Sequence, residues 1–154
     1  MMELALLPFT EGYLDAAAAL FVDVFQGEPW KETWTLRSAG RRLADLVRSP
    51  GFFGVAAFRE GQLVGFALGR LEVYQDEEHF HLQEMCIAAQ CQRQGVGTQM
   101  MKHLFASLEK RGCKQIYLLT ARESAAESFY LRCGFSTARR TTVMVKRLSS
   151  STFG

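Results

Sequence analysis

No stretch of this chain approaches the roughly 18 to 20 consecutive apolar residues that a membrane-spanning helix requires, so no membrane partner is expected. Neither sign of charge dominates: 18 Lys and Arg stand against 16 Asp and Glu, a formal net charge of +2. The basic residues are scattered, with Arg41-Arg42 and Arg139-Arg140 as mere pairs. Without a basic run or stripe, the electrostatic footprint of a nucleic-acid binder is missing. Cysteine is sparse, at four residues. Cys86, Cys91, Cys113 and Cys133 make no C-x-x-C pair and have no zinc-type spacing with His79, His81 or His103, so no metal site is expected. Lone cysteines in apolar segments act as small hydrophobes and suit a reducing compartment. The start, Met1-Met2-Glu3-Leu4, lacks the basic opening of a secretory signal, and a cytoplasmic location is the expectation.

What the chain does have is 154 residues, 48% hydrophobic and 22% charged, enough to bury one substantial core. Residues 3–9 predict a short strand. Thr10 is a candidate N-cap for a helix to residue 26, whose Leu14, Ala17, Ala18, Phe21, Val22 and Phe25 recur at helical spacing. Thr33 or Thr35 caps a second helix through residue 48. Strands are expected over 52–59 and 63–74, joined as a hairpin through Glu60-Gly61-Gln62, and over 79–87 after a polar turn. A helix over 98–111 ends at Gly112, a strand covers 114–120, and a helix over 123–133 stops at Gly134. Residues 135–137 and 141–148, the latter alternating Val143 and Val145, predict a final hairpin before a frayed tail. The order β-α-α-β-β-β-α-β-α-β-β describes a single α/β (α+β) domain. Its mixed, mostly antiparallel sheet holds about seven strands, with about four helices on its faces.

The most informative segment is Gln92-Arg93-Gln94-Gly95-Val96-Gly97, between a strand and an amphipathic helix. A glycine-bearing loop that opens a helix presents unpaired backbone N–H groups at the positive end of the helix dipole, and so binds phosphate. Two glycines let the backbone approach a pyrophosphate closely. An ordinary tight turn is the alternative. A dinucleotide fingerprint, G-x-G-x-x-G with an acid about 20 residues on, fails twice. Position 100 is Met100, and the strand over 114–120 ends without an acid.

The element order and Gln92-x-x-Gly95-x-Gly97 together resemble the GNAT superfamily of acyl-CoA N-acyltransferases, whose loop reads Gln/Arg-x-x-Gly-x-Gly/Ala. A second signature is similar to the family's Asn-x-x-Ala-x-x-x-Tyr-x-x-x-Gly-Phe: Ala126, Tyr130, Gly134 and Phe135 match in register, while Glu123 replaces the Asn. The resemblance implies a GNAT-like fold, with an N-acetyltransferase domain over residues 1–148 and a frayed tail over 149–154. It implies acetyl-CoA as co-substrate, with no metal. Cofactor contacts are then expected from Met85, Cys86 and Ile87 on the strand, from Gln92, Arg93, Gln94, Gly95, Val96, Gly97 and Thr98 in the loop, and from Ser128 on the later helix.

Acetyl transfer to an amine needs a base, an acid and an oxyanion donor. Glu84 is the sole carboxylate between residues 79 and 101 and alternates onto a face with Leu82 and Cys86. A carboxylate on a half-buried strand is costly unless partnered. It is either the base, as the resemblance implies, or a structural partner of an arginine; His81 is the competing base. Tyr130 matches the family's tyrosine near the thioester sulfur, the expected acid, or else is a core aromatic. A backbone amide around residues 85–87 would serve the oxyanion if the next strand splays away, as the resemblance implies. For the acceptor, Glu28, Trp30 and Trp34 on the loop between the first two helices, and Glu72, Tyr74 and His81 on the strands, are candidate contacts. The alternative for the tryptophans is a staple of that loop onto the sheet. The acidic run Asp76-Glu77-Glu78 would attract a cation or merely be solvated. The expected partner is a small-molecule amine, attacking directly in a ternary complex. A protein N-terminus or lysine is the alternative acceptor and a non-catalytic acyl-CoA-binding module the alternative class, while a homodimer is left open.

Overall fold

A computed structural model describes residues 3–149, which fall into two compact units, one ending at Leu119 and one beginning at Thr120. The first unit is built on a five-stranded sheet in sequential order: β1 (Leu4–Pro8), β2 (Phe52–Arg59), β3 (Gln62–Tyr74), β4 (Glu77–Ile87) and β5 (Gln115–Tyr117). The first four strands are antiparallel neighbours and β5 runs parallel to β4, so the sheet is mixed. Between β1 and β2 lie α1 (Leu14–Gln26) and α2 (Leu36–Val47); α3 (Val96–Arg111) joins β4 to β5.

Local chemistry sets the boundaries. The β2–β3 turn is Glu60-Gly61, both at positive φ (54° and 75°), the two-residue hairpin that matches strand twist. At α2, Thr35 rather than Thr33 is the cap. Its Oγ1 accepts from the Ser38 amide at 3.0 Å while the Thr35 amide donates to Ser38 Oγ at 3.0 Å, a reciprocal box. Thr10 does not cap through its side chain; a 3-10 turn over Glu11–Tyr13 intervenes, and α1 starts at Leu14. The third helix begins two residues before the expected start, because Gly95 (φ 81°) turns the chain into it, and Gly112 (φ 90°) ends it.

Alternation along β3 divides the core. Phe66 and Leu68 join Ala17, Phe21, Ala39 and Leu43 of α1 and α2 on one face. The intervening Ala67, with Val55 and Ala57, is buried on the other, where α3 contributes Met100, Met101, Leu104 and Leu108. Each such large side chain, wholly removed from water, contributes about 1.5–3 kcal/mol. Gly65 makes the second packing possible, since a Cβ there would stand 3.0 Å from Met100 Sδ.

In the second unit α4 (Ala125–Arg132) is capped by Ser124, whose side chain accepts from the Glu127 amide at 3.0 Å. The expected helix start at Glu123 is corrected. Glu123 sits left-handed (φ 57°) outside the helix, and its amide donates to Glu127 Oε1 at 3.1 Å. Gly134 (φ 100°) ends the helix. No strand is present among the described residues 135–149, so the expected closing hairpin is absent and the sheet has five strands instead of about seven. Val143, Met144 and Val145 are all exposed there, so the alternation that suggested a buried strand face buries nothing. The predicted frayed tail lies, apart from Ser149, outside the described residues.

Candidate active site

The loop after β4 is shaped by two left-handed residues, Arg93 (φ 63°) and Gly95 (φ 81°). Its side chains fasten it to the protein. Gln92 Nε2 donates to the Ile87 carbonyl at 3.0 Å, Gln94 Nε2 to the Gln90 carbonyl at 2.9 Å, and Arg59 Nη1 to Gln94 Oε1 at 2.9 Å. The main-chain amides behave differently. From Arg93 to Thr98 none donates to an acceptor among the described residues; the first helical bond is Gln99 N–H to Gly95 O at 3.0 Å. Six donors in succession thus remain at the positive end of a helix of 16 residues. A Cβ on Gly95 would meet open space, while Val96 and Gly97 are buried against the fold. Main chain, not side chain, is what this loop offers an anion.

Along β4, Leu68 faces Glu84 and the next residue, Gly69, faces Leu82, which leaves Gln83 as a bulge. The Ala88 amide donates to the Val64 carbonyl at 2.8 Å. Antiparallel alternation therefore turns the amides of Glu84 and Cys86 toward β3 and those of Met85 and Ile87 away from it. On that side β5 pairs only with residues 79–81, ending at His81 opposite Tyr117, so the strands part before Met85. The amides of Met85 and Ile87 thus lie beyond the reach of the β4–β5 ladder. Cys86 is buried, its Sγ 3.9 Å from the Leu20 carbonyl, and burial pushes its thiol far above the ordinary range.

Glu84 is the one charged side chain in the buried core of the described residues, 9% exposed. Its carboxylate accepts from Arg42 Nε of α2, a partner 42 residues away, and Arg42 also lies over the Trp34 ring at 5.5 Å. Burial raises the Glu84 pKa; the Arg42 hydrogen bond and charge oppose that rise, and Glu32 adds to it. The bulge lets Gln83 and Glu84, adjacent in sequence, line one cleft of about 320 Å3 with Arg42, Asp45, Ser49 and Arg70.

Farther along the same strands His81 stacks on Tyr117 with ring centroids 4.4 Å apart, and its Nδ1 is 3.9 Å from Glu72 Oε2. Burial lowers the His81 pKa, with Glu72 opposing and Arg70 assisting. The Tyr117 hydroxyl donates to Glu72 Oε1 at 2.5 Å; burial, then that bond, pushes its pKa up to about 12. The other expected acceptor contacts scatter. Trp34 packs edge-on to Phe21 at 5.0 Å and donates Nε1 to Glu32 at 2.8 Å, Trp30 packs on Phe25 at 5.4 Å, and Glu28 pairs with Lys31 at 3.0 Å. Both rings thus staple the loop onto α1. Tyr74 stacks on His79 at 4.8 Å, away from the Glu84 cleft lining. Sequence reasoning missed Arg42, Asp45, Arg70 and Tyr117, since no local pattern sets any of them apart from ordinary residues of its helix or strand.

In the second unit, Tyr130 packs edge-on against Phe129 and Phe135, at 5.4 and 5.6 Å, and its carbonyl accepts from the Phe135 amide at 3.0 Å. The signature's Tyr and Phe are thereby joined through the Gly134 turn. Ser128 is exposed on α4.

The profile of the Acetyltransferase (GNAT) family matches residues 14–135, from α1 through the Gly134-Phe135 end of the second signature. The chain belongs to that family. Comparison with curated proteins gives no match. Among solved structures it is similar to an aminoglycoside N-acetyltransferase in complex with CoA, at 14% identity and TM-score 0.74, covering 96% of this chain and 97% of that one. It is similar also to an aminoglycoside acetyltransferase from an uncultured soil metagenomic sample in complex with sisomicin (16% identity, TM-score 0.71, 96% and 97% covered). A third is a ribosomal-protein-alanine N-acetyltransferase from Brucella melitensis biovar Abortus 2308 (12% identity, TM-score 0.74, 94% and 100% covered). At these identities the likeness is one of fold.

Proposed function

We propose that this chain is an acetyl-CoA-dependent N-acetyltransferase for a small-molecule amine, with residues 1–148 acting as the catalytic domain. The observation that carries the reading is the run of six unpartnered amides, Arg93 to Thr98, at the start of α3. They suit a diphosphate, and the open space at Gly95 admits one close to the backbone. Bound there, acetyl-CoA would supply an activated acetyl group as a thioester.

The chain's own groups then have distinct tasks. The amides of Met85 and Ile87, turned away from β3 and past the end of the β5 pairing, suit donation to the thioester carbonyl as negative charge gathers on its oxygen. Glu84 accepts the ammonium proton, directly or through a water; its raised pKa brings a carboxylate nearer the range of a useful base. His81, shifted down and stacked on Tyr117, lies farther along the strand and is assigned to lining the acceptor side. Tyr130 is assigned the proton donor to the departing thiolate, on its signature position. No cysteine is assigned as a nucleophile. The cleft beside Glu84 has the size of a small acceptor rather than of a protein surface. In the fold relatives the acceptors named are aminoglycosides and a ribosomal protein's alanine, so both kinds enter the test.

Release of free coenzyme A, followed with a thiol reagent over a panel of small amines, aminoglycosides and peptides, decides the matter. Turnover of small amines is expected. Turnover of peptides alone transfers the reading to a protein acceptor, and tight acetyl-CoA binding without turnover of any amine leaves a binding module.

A further inference from the structure

We propose that the cleft at the β4 bulge receives an amine that also carries a carboxylate, an acceptor of the amino-acid class, with Arg70 as the anchor of that carboxylate. The proposal rests on the N-acetyltransferase reading above and specifies its substrate. Arg70 lies on β3 opposite His81 and lines the cleft with Gln83, Glu84, Arg42 and Asp45. The two arginines differ in what they already hold. Arg42 is engaged by Glu84 and by the Trp34 face. Arg70 Nε is shut off from solvent and has no acceptor among the described residues. The nearby carboxylate on its own strand, Glu72, is instead taken by the Tyr117 hydroxyl at 2.5 Å.

A guanidinium presents a planar fork that fits a carboxylate, and Arg70 lines the cleft beyond its buried Nε. The same cleft is lined by Glu84 and Asp45, carboxylates for the ammonium of the acceptor. Two guanidinium groups and two carboxylates therefore line one space of about 320 Å3. A polycation would meet Arg42 and Arg70 with like charge, whereas a zwitterion brings a partner for groups of each sign.

The test compares amino acids with their methyl esters as acceptors, in the coenzyme A release assay. The free acid is expected to exceed the ester in kcat/KM by roughly 10- to 100-fold, chiefly through KM, the worth of one charged hydrogen-bond pair. Arg70→Gln should bring that ratio close to one while the KM for acetyl-CoA holds, and Arg70→Lys should restore part of it. A wild-type ratio near one overturns the proposal, as does preference for the ester or for a phosphate-bearing amine, or an Arg70→Gln loss equal for acid and ester. The wild-type ratio stands as a test even if the variants do not fold. Absence of turnover with every amine counts against the acetyltransferase reading instead. Titration calorimetry with amino acids then judges the carboxylate site alone: binding lost in Arg70→Gln supports it, and binding that is absent or indifferent to Arg70 overturns it.

Discussion

Glu84 pairs with a guanidinium that is itself half in water, so the pair is asymmetric: a buried acid held by an exposed base. Burial wins over Arg42 and the Glu84 pKa rises. Between its unfolded value and that raised value the folded chain holds a proton that the unfolded chain has lost, so stability declines as pH climbs through that window. Glu84→Gln, which carries no charge to desolvate, should therefore keep or raise Tm at neutral pH while lowering kcat by about 10²- to 10⁴-fold. A large drop in Tm would mean that the ion pair is structural. Arg42→Ala removes both influences that hold the pKa down, so the acid limb of the kcat/KM profile should move to higher pH. An unmoved limb would release Glu84 from the base role. Tyr130→Phe keeps the ring that packs on Phe129 and Phe135 and deletes only the hydroxyl. We expect kcat to fall roughly 10- to 1000-fold with acetyl-CoA affinity held; an unchanged kcat would exclude the phenol as the acid.

At the scale of elements, the loop between β4 and α3 concentrates the cofactor argument. Gly95→Glu puts a side chain on a left-handed residue and a negative charge among amides suited to phosphate. Binding of acetyl-CoA by calorimetry should vanish. Gly95→Asn, a residue that tolerates this backbone region, should retain measurable binding; equal loss in both variants would point to strain rather than charge. This loop was legible in the sequence because its glycines answer a local need. The α2 cap and the Gly61 hairpin were legible for the same reason. The bulge at Gln83 was not, since the glycine at it, Gly69, stands on the facing strand and the bulge exists only through the register of β3 against β4. The pairing of Glu84 with Arg42 was also hidden, being a meeting of α2 with β4 that no spacing announces. The pattern around Val143 and Val145 misled, because alternation is a strand only when a neighbouring ladder accepts it.

For the molecule as a whole, ligand linkage gives the broadest check. Coenzyme A that binds the folded chain and not the unfolded one should raise Tm, by an amount set by about 2.7 kcal/mol at a concentration 100 times Kd. The shift should be absent in Gly95→Glu, and a wild-type Tm indifferent to coenzyme A would remove the cofactor assignment. Among the described residues no helix is long and apolar enough to cross a membrane, and no group of three His, Cys, Asp or Glu could hold a metal ion. The order of strands and helices up to β5 followed from periodicity, whereas the number of strands depended on how the segment after α4 lies, which composition does not dictate.

Because Gln92, Gln94 and Arg59 lash the loop at three points while its amides stay unbonded, rigidity and open donors coexist in one short segment. In deuterated solvent the N–H groups of Arg93, Gln94, Gly95 and Thr98, all on exposed residues, should swap isotope quickly in the free protein, and slow markedly once a diphosphate lies across them.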